Sequence, residues 1–261
     1  MDPDTFAFNQ RDVVARYLGE SHLQKPEEKV LSEFAGHLGT FKMLDLGVGA
    51  GRTTLHFAKW VRDYECVDVS VNMISACQAR FASYPLNLTF KVGDAANLDW
   101  IKSASKDFVL FSYNGIDYVD HATRKVIISE ISRVLKPGGF FLFSSHNLLA
   151  VDKLFLLTKQ WSRNPVRLFR QMKKCLLLNT KYNERSKIRR LKYQPFAIIN
   201  DGFYAYALST YYVSPTYQFD QLKSCFDDIR ALSIMTGLDI SGELSSCNDD
   251  WIYYLCRRRV E

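Results

Sequence analysis

Short apolar runs alternate with segments of helical periodicity between residues 41 and 145. The apolar runs predict five β-strands, at residues 43–46, 64–69, 86–92, 107–111 and 140–143. The segments with helical spacing predict helices at residues 55–61, 72–82 and 121–135. Strands that are apolar along almost their whole length, with helices between them, are typical of a parallel sheet covered on both faces. We therefore predict an α/β fold with a Rossmann-like, doubly wound and mostly parallel sheet.

The parts of the chain on either side of this alternation have other patterns. Residues 5–37 have helical spacing, and Pro26 followed by two acids is typical of a helix start. Near the other end the pattern predicts a strand, a helix and two strands that bring the sheet to seven, at residues 203–213, 216–226, 229–235 and 251–256. We predict four units, an N-terminal helical cap, a ligand-binding core, a basic helical insertion or lid, and a C-terminal completion of the sheet, at residues 1–40, 41–147, 148–202 and 203–261.

The composition is that of a globular protein. The chain has 261 residues, of which 47% are hydrophobic and 24% are charged. Its first residues are polar and interrupted by charges, so we expect no secretory signal, and no apolar run approaches the roughly 18 residues of a transmembrane helix. The six cysteines lack any Cys-x-x-Cys pair, which favours reduced thiols over zinc ligands or disulfides. We therefore expect a cytoplasmic protein without a transmembrane segment and without a metal site.

The basic charge is concentrated in one segment. The chain has a net charge of +6, but residues 153–192 alone contain thirteen lysines and arginines against a single acid, Glu184. The remainder of the chain is therefore net acidic. This uneven distribution makes residues 153–192 a candidate for contact with an anionic surface or a nucleic acid.

Two stripes run along the helix predicted after Asn164-Pro165 in this segment. The basic stripe consists of Arg163, Arg167, Arg170 and Lys174. The apolar stripe consists of Val166, Phe169, Met172 and Leu176. One interpretation is a lid that packs its apolar stripe over the active site and leaves the basic face in solvent. The other is a surface that attracts anions, and the sequence leaves both open.

The first strand ends in a turn that is rich in glycine. Residues 43–54 read MLDLGVGAGRTT, with glycines at positions 47, 49 and 51. Glycine tolerates positive φ and lets a ligand approach the backbone. The helix that follows directs unpaired N–H groups to the same place. A polar ligand is therefore predicted at this turn.

Other strands also end in polar residues, where the ligands of an open α/β sheet lie. These strand ends contain Asp68, Asp94, residues 112–117 and residues 144–147. Asp68 stands 17 positions beyond Gly51, close to the ~20 at which an acid meets a ribose, and its two oxygens can accept from both ribose hydroxyls. A dinucleotide-binding turn would have glycine or alanine in place of Arg52, so the pattern disfavours a dehydrogenase.

Four motifs in this order resemble the class I S-adenosylmethionine-dependent methyltransferase family. They are LDLGVGAG at residues 44–51, VDVSVNMI at 67–74, GDA at 93–95 and RVLKPGG at 133–139. The resemblance covers about residues 40–145 and implies S-adenosylmethionine as the cofactor. It also implies that Asp45 and the backbone of Gly47, Gly49 and Gly51 hold the methionine portion, and that Asp68 binds the ribose.

The same resemblance implies the contacts of the adenine and of the sulfonium. Met73 would pack near the adenine. Asp94 would accept a hydrogen bond from the adenine amino group, with Ala95 beside it. Ser112 and Tyr113 would line the site near the sulfonium.

The residues that would act on the methyl acceptor are harder to predict. Because a sulfonium methyl group is already activated, the protein mainly has to place a nucleophile and, where needed, remove its proton. His146 follows the fifth strand and is our candidate for the base, with Tyr113 as a second catalytic candidate. The predicted substrate contacts are Asn114, Asp117 and Tyr211. An ordinary structural role in a loop or in the sheet is the alternative for each.

The substrate class is only partly constrained. The fourth strand ends in SYNG at residues 112–115, which differs from the Asn/Asp-Pro-Pro-aromatic run of enzymes that methylate amino groups of DNA bases. We predict a methyltransferase that acts on O or N of a small molecule, with anionic, sugar-containing and lipid-linked molecules as candidates. One alternative is methylation of a peptide, protein or RNA. Another is a catalytically silent module that binds the cofactor or a membrane surface.

Overall fold

The computed structural model of the protein describes residues 7–155, 164–183 and 190–260. The strands in these residues are β1 (Lys42–Leu46), β2 (Asp63–Asp68), β3 (Leu88–Val92), β4 (Lys106–Phe111), β5 (Leu135–Asn147), β6 (Phe196–Ile199), β7 (Thr210–Val213), β8 (Phe226–Ser233) and β9 (Trp251–Arg258). The helices are α1 (Arg11–Gly19), α2 (Lys25–Phe34), α3 (Thr54–Phe57), α4 (Val71–Phe81), α5 (His121–Val134), α6 (Asp152–Phe155), α7 (Pro165–Leu177) and α8 (Pro215–Leu222).

Seven of the strands form the predicted sheet. β3, β2, β1, β4 and β5 are neighbours in that order and run parallel. β9 pairs with β5, and β8 pairs with β9, both in antiparallel fashion. The order along the sheet is therefore β3-β2-β1-β4-β5-β9-β8, and only β9 runs against the other six of these strands. This confirms the prediction of a Rossmann-like, mostly parallel sheet.

A ribbon of two antiparallel strands, β6 and β7, extends the sheet beyond the end of β4. β4 pairs with β5 as far as Phe143, whereas β7 pairs with β5 at His146 and Asn147. Since β9 pairs with β5 along the opposite edge as far as His146, β4 and β7 share one edge of β5 in succession. The chain leaves β4 at the place where β7 joins, and this gap opens beside His146.

Both faces of the sheet are buried under helices. Successive residues of β1 point to opposite faces, so Leu44 packs in the same cluster as Ile127 of α5. Met43 packs in the other cluster, with Val30 of α2 and Ile74 of α4. Each of these side chains is at most 5% exposed, and burying one of them contributes about 1.5–3 kcal/mol. The doubly wound arrangement is therefore confirmed.

Two elements of the core, the helix after the glycine turn and the fifth strand, have bounds that differ from the sequence pattern. The helix after the glycine turn spans only Thr54–Phe57, shorter than predicted, because the chain turns at residues 58–60 to bring β2 into register with β1. The fifth strand begins at Leu135, earlier than predicted, and it contains an irregularity before Phe140 in which Gly138 has a φ of +77°.

The region after the insertion contains two wrong predictions. Residues 203–206 are not part of a strand, because Tyr204 and Ala205 have left-handed backbone angles that a strand does not adopt. The strand in this stretch is limited to Thr210–Val213. Residues 196–199, predicted to lie in a helical insertion, form β6, because this apolar run pairs with β7.

The insertion helix α7 does not have the orientation of a lid. Arg163, part of the predicted basic stripe, lies outside the described residues. The side chains on the inner face of α7 are Leu168, Gln171 and Cys175, each partly buried. The apolar stripe points away from the protein, with exposures of 48–69% at Val166, Phe169, Met172 and Leu176. The interpretation of this stripe as the inner face of a lid is therefore wrong.

Two global properties concern membranes and thiols. Among the described residues, no helix is both long and apolar enough to cross a membrane. All six cysteines are free, and three of them, Cys66, Cys77 and Cys256, are buried.

Candidate active site

The glycine turn after β1 has a backbone that other residues adopt only with strain. Gly47, Gly49 and Gly51 have φ values of +61°, +55° and +82°. A Cβ atom at Gly51 would lie 2.5 Å from Phe81 and 2.8 Å from Sγ of Cys77. Gly51 is therefore required for close packing of the turn against α4. On the other side, a Cβ at Gly47 would lie 2.8 Å from Phe111 and one at Gly49 would lie 3.1 Å from Tyr17.

A cavity of about 230 Å³, which we call the turn cavity, lies against this turn at the carboxyl ends of the strands. Seven of the nine predicted cofactor residues line it, namely Gly47, Gly49, Asp68, Met73, Asp94, Ala95 and Ser112. Tyr113, the second catalytic candidate, lines it as well. The ends of β1, β2, β3 and β4 thus meet at this cavity, whereas residues 144–147 at the end of β5 do not line it.

Asp68 presents a fixed carboxylate to the turn cavity. Its Oδ2 accepts a hydrogen bond of 2.8 Å from the backbone N–H of Gly49, and its Oδ1 accepts one of 2.8 Å from Ser70. Burial raises the pKa of Asp68 to about 6, although these two hydrogen bonds act in the opposite direction. Each oxygen has a further lone pair, so the ionised carboxylate can also accept from two hydroxyls of a ligand.

Asp45 and Gly51, in contrast, do not line the turn cavity. Asp45 is 1% exposed, and its Oδ2 accepts from Oγ1 of Thr53 at 2.6 Å and from the hydroxyl of Tyr64 at 2.5 Å. Burial raises the pKa of Asp45 to about 7. Because Asp45 shares its face of β1 with the core residue Met43, it braces the turn from behind. The predicted contact of Asp45 with the cofactor does not match this geometry.

Arg52, which follows the last glycine, is held by a buried carboxylate of the N-terminal cap. Its Nη1 and Nη2 donate to the two carboxylate oxygens of Glu27 at 2.6 and 2.7 Å. Glu27 is fully buried and Arg52 is 7% exposed. Burial raises the pKa of Glu27, but the pairing with Arg52 outweighs burial and holds this pKa below its usual value. The pair is therefore ionised and bidentate, the stronger form of this contact.

The same pair fixes the end of β4. Nη2 of Arg52 also donates to Oγ of Ser112 at 2.7 Å, and the guanidinium carbon lies 4.5 Å from the centre of the Tyr113 ring. Tyr253 of β9 donates to Glu27 at 2.8 Å. Glu27 was missed in the sequence because an acid in a first helical turn is explained by the helix dipole alone. The sequence does contain a signal for Glu27, namely Arg52. This cation stands at a position where a dinucleotide-binding turn has glycine or alanine.

The chain leaves β4 through two residues with left-handed backbone angles. Tyr113 and Asn114 have φ values of +55° and +60°, which cost about 1–2 kcal/mol each for a residue with a side chain. The backbone N–H of Asn114 donates to Oγ of Ser144 at 2.8 Å. Strain of this kind concentrates at functional sites.

A second cavity of about 270 Å³, which we call the histidine cavity, lies beside the first. The two cavities share a wall of three side chains, Tyr17, Tyr113 and Tyr118. The other residues around the histidine cavity are Arg16, Glu20, Arg52, Asn114, His146, Asp201, Phe203 and Trp251. Tyr17 and Tyr118 were not predicted, since their spacing in the sequence resembles that of ordinary core residues.

His146 enters the histidine cavity from the end of β5 and is oriented by Asp117. Its Nδ1 lies 2.8 Å from Oδ2 of Asp117, which also accepts from the backbone N–H of His146 at 2.7 Å. Asp117 is fully buried, and its Oδ1 accepts from Arg124 at 2.5 Å and from Ser145 at 2.7 Å. A carboxylate at Nδ1 assigns the proton to that nitrogen. Nε2, 3.4 Å from Nδ2 of Asn114, is then the basic nitrogen.

Two of the predicted substrate contacts have structural positions instead. Asp117 lines neither cavity and contacts the ring and the backbone N–H of His146 instead. Tyr211 is fully buried, and its hydroxyl lies 2.8 Å from Nδ1 of His121 and accepts from Gln221 at 3.0 Å. Because side chains alternate along a strand, the neighbouring Tyr212 faces the site, with its ring 4.8 Å from that of His146.

The sequence model of the family described as a methyltransferase domain matches residues 43–139. This span contains the glycine turn and the strand ends that line the turn cavity. Residues 43–139 form a methyltransferase domain, with the motifs and the sheet of the class I S-adenosylmethionine-dependent enzymes. The resemblance of the four motifs is thereby confirmed, and S-adenosylmethionine is the cofactor of this family.

Proteins similar to this chain share its core. A demethylmenaquinone methyltransferase from Leptospira interrogans is 34% identical over 127 residues, which are 47% of this chain and 47% of that protein. The chain thus spans about half the length of the curated relative it matches. A protein from Pyrococcus horikoshii OT3 has a TM-score of 0.60 at 17% identity, over 97% of this chain and 93% of that chain.

A second solved structure has the same fold. An S-adenosylmethionine-dependent methyltransferase from Mesorhizobium loti has a TM-score of 0.59 at 15% identity, over 89% of this chain and 98% of that chain. Likeness at such identities concerns the fold of the methyltransferase and leaves the acceptor open.

The residues of the turn cavity fit S-adenosylmethionine. Asp68 supplies acceptors for ribose hydroxyls, and Asp94, whose Oδ1 accepts from the backbone N–H of Ala96 at 2.8 Å, is exposed at the cavity. Met73 and Ala95 supply apolar surface. A nucleoside joined to an amino acid needs both kinds of surface.

Proposed function

We propose that the protein transfers the methyl group of S-adenosylmethionine to an oxygen or nitrogen of a small molecule bound in the histidine cavity. The observation that carries this proposal is the position of His146, which lines a cavity that shares three tyrosines with the turn cavity and whose Nδ1 is held by Asp117. When bound, the cofactor supplies an activated methyl group. Tyr17, Tyr113 and Tyr118 border both cavities, so an acceptor in the histidine cavity meets the methyl group between these side chains and has His146 as a base in the same cavity.

The residues around His146 suit the removal of a proton from an acceptor. Asp117 holds Nδ1 by a hydrogen bond of 2.8 Å and stabilises the ring once Nε2 has taken a proton. Arg124 donates to Oδ1 of Asp117 at 2.5 Å and holds this buried carboxylate in place. The three tyrosines that border both cavities surround the place where the acceptor would meet the methyl group. His146 is therefore proposed as the base, with Asp117 as the residue that positions it.

The size and lining of the histidine cavity favour a small molecule as the acceptor. A volume of about 270 Å³ suits a small molecule better than a folded chain. Its aromatic side chains, Tyr17, Tyr113, Tyr118, Phe203 and Trp251, suit a flat molecule. The relative from Leptospira interrogans is named for demethylmenaquinone, also a small molecule. We propose the contacts of Tyr113 and Asn114 with the acceptor on the same grounds.

The test is transfer of a labelled methyl group to pools of candidate acceptors, with the products identified by mass spectrometry. Phenols, carboxylic acids and amines form the small-molecule pools, and peptides and RNA form the others. We expect a labelled small molecule, and a rate that falls by about 10²–10⁴ in His146→Asn. The matched control is His121→Asn, because His121 lies outside both cavities.

Two results would contradict the proposal. Label that enters only peptides or RNA would show a macromolecular acceptor. A labelled small molecule formed equally fast by His146→Asn, with binding of S-adenosylhomocysteine unchanged, would exclude His146 as the base.

A further inference from the structure

The outward face of α7 is apolar. Val166, Phe169, Met172 and Leu176 recur every three or four residues and therefore lie on one side of the helix. Their exposures are 60%, 69%, 48% and 63%. A contiguous apolar stripe of this kind marks an interaction surface, because single exposed apolar residues are common but aligned ones are not.

Positive charge lies beside this stripe. Arg167, Arg170 and Lys173 are exposed on α7, and the helix, of sequence PVRLFRQMKKCLL, contains no acid. The apolar and basic side chains together form what we call the docking face. A face of this composition complements a surface that exposes anionic groups to water and has an apolar layer beneath them.

The docking face is held outward by contacts on the opposite side of the helix. Sγ of Cys175 donates to the backbone oxygen of Phe155 at 3.0 Å, and Nδ2 of Asn179 donates to the same oxygen at 3.1 Å. At the other end, Oδ1 of Asn164 accepts from the backbone N–H groups of Val166 and Arg167 at 3.0 and 3.1 Å. The helix is thus capped and anchored with its apolar stripe in solvent.

We propose that the docking face binds the surface of a bilayer that contains anionic phospholipids. The apolar side chains enter the boundary between headgroups and acyl chains, and the arginines and Lys173 contact lipid phosphates. A nucleic acid also attracts basic residues, but contacts with its phosphates do not require an apolar stripe. The four exposed apolar side chains therefore favour a membrane over RNA.

The docking face is connected to the histidine cavity. The side chain of Lys174 packs on Gly202, where an added Cβ would lie 2.9 Å from Cε of Lys174. Asn183 and Asn200 exchange hydrogen bonds of 2.8 and 3.1 Å between the two segments. The adjoining Asp201 and Phe203 line the histidine cavity. Binding of α7 to a bilayer would therefore hold that cavity close to the lipid surface.

The experiment is flotation of the full chain with lipid vesicles. One set contains phosphatidylcholine alone, and the other contains phosphatidylcholine with phosphatidylglycerol. We expect flotation with the anionic set only. Each charge removed in Arg167→Gln and Arg170→Gln lowers binding about fivefold, and Phe169→Ser lowers it about tenfold.

Matched controls use exposed residues elsewhere. Val126→Ser replaces an apolar residue of α5 that is 48% exposed, and Lys29→Gln removes an exposed charge from α2. Neither is expected to change flotation. Circular dichroism and calorimetric binding of S-adenosylhomocysteine check that each variant is folded.

Three results would overturn the proposal. The first is no flotation of the parent protein with anionic vesicles. The second is flotation that the α7 variants leave unchanged. The third is binding to RNA that depends on Arg167 and Arg170, combined with vesicle binding that does not depend on Phe169.

Discussion

Glu27 of the N-terminal cap and Arg52 of the glycine turn form a buried ion pair with two hydrogen bonds, of 2.6 and 2.7 Å. The pair joins an appended helix to the turn on which the cofactor site is built. Arg52 in turn holds Ser112 at the end of β4. The N-terminal helices are thus part of the site, because the ion pair links them to the glycine turn and to the end of β4.

We expect Glu27→Gln to destabilise the protein by about 3–5 kcal/mol, because it leaves the charge of Arg52 buried and unpaired. The measurement is unfolding in urea. Glu28→Gln is the matched control, since Glu28 is the exposed neighbour on the same helix, and it is expected to change stability by less than about 0.5 kcal/mol. Equal unfolding curves for the two variants would show that the pair does not stabilise the fold.

The pH dependence of stability should contain a contribution from Asp45. Burial raises the pKa of Asp45 to about 7 in the folded protein, so the folded state binds its proton more tightly than the unfolded state does. The stability that this proton contributes is complete below about pH 4 and is lost as the pH rises towards about 7, with a slope approaching 1.4 kcal/mol per pH unit.

Asp45→Asn removes this titration. We expect the stability of the parent protein, relative to Asp45→Asn, to fall as the pH rises from about 4 to 7. Urea unfolding of both proteins across that range measures the difference. Parallel pH profiles would mean that Asp45 is ionised as readily in the folded as in the unfolded chain.

The packing of the glycine turn against α4 can be tested by substitution of Gly51. Gly51→Ala combines a φ of +82° with a Cβ that would lie 2.5 Å from Phe81, and we expect a loss of at least about 2 kcal/mol in the free energy of unfolding. In Gly39→Ala the added Cβ meets no atom within 4 Å, so this control should be about as stable as the parent protein. A thermal melt of each variant measures the effect, and an undisturbed Gly51→Ala would contradict the described turn.

The sheet and the turn cavity could be predicted because their signals are local. A strand followed by a glycine turn, and Asp68 at the end of the next strand, are each read from neighbouring residues and from a family resemblance. The contacts of Glu27 with Arg52 and of Asp117 with His146 join residues 25 and 29 positions apart. Such pairs depend on how elements pack, which periodicity does not contain.

The errors have equally physical causes. The outward direction of the apolar stripe on α7 follows from contacts of its other face, at Cys175 and Asn179, and both orientations have the same periodicity. The choice of Tyr211 over Tyr212 depends on which face of β7 meets His146. A shift of one residue reverses the face of every strand residue, and the sequence pattern did not fix that register.

The central claim is that the turn cavity binds S-adenosylmethionine through Asp68, and calorimetric titration with S-adenosylhomocysteine tests it most directly. We expect the parent protein to bind, with an affinity that falls below about pH 6 as Asp68 is protonated. Asp68→Asn should bind at least about tenfold more weakly and lose this pH dependence, whereas Asp99→Asn, at an exposed acid, should bind like the parent protein. No binding by the parent protein, or equal binding by Asp68→Asn, would contradict the account.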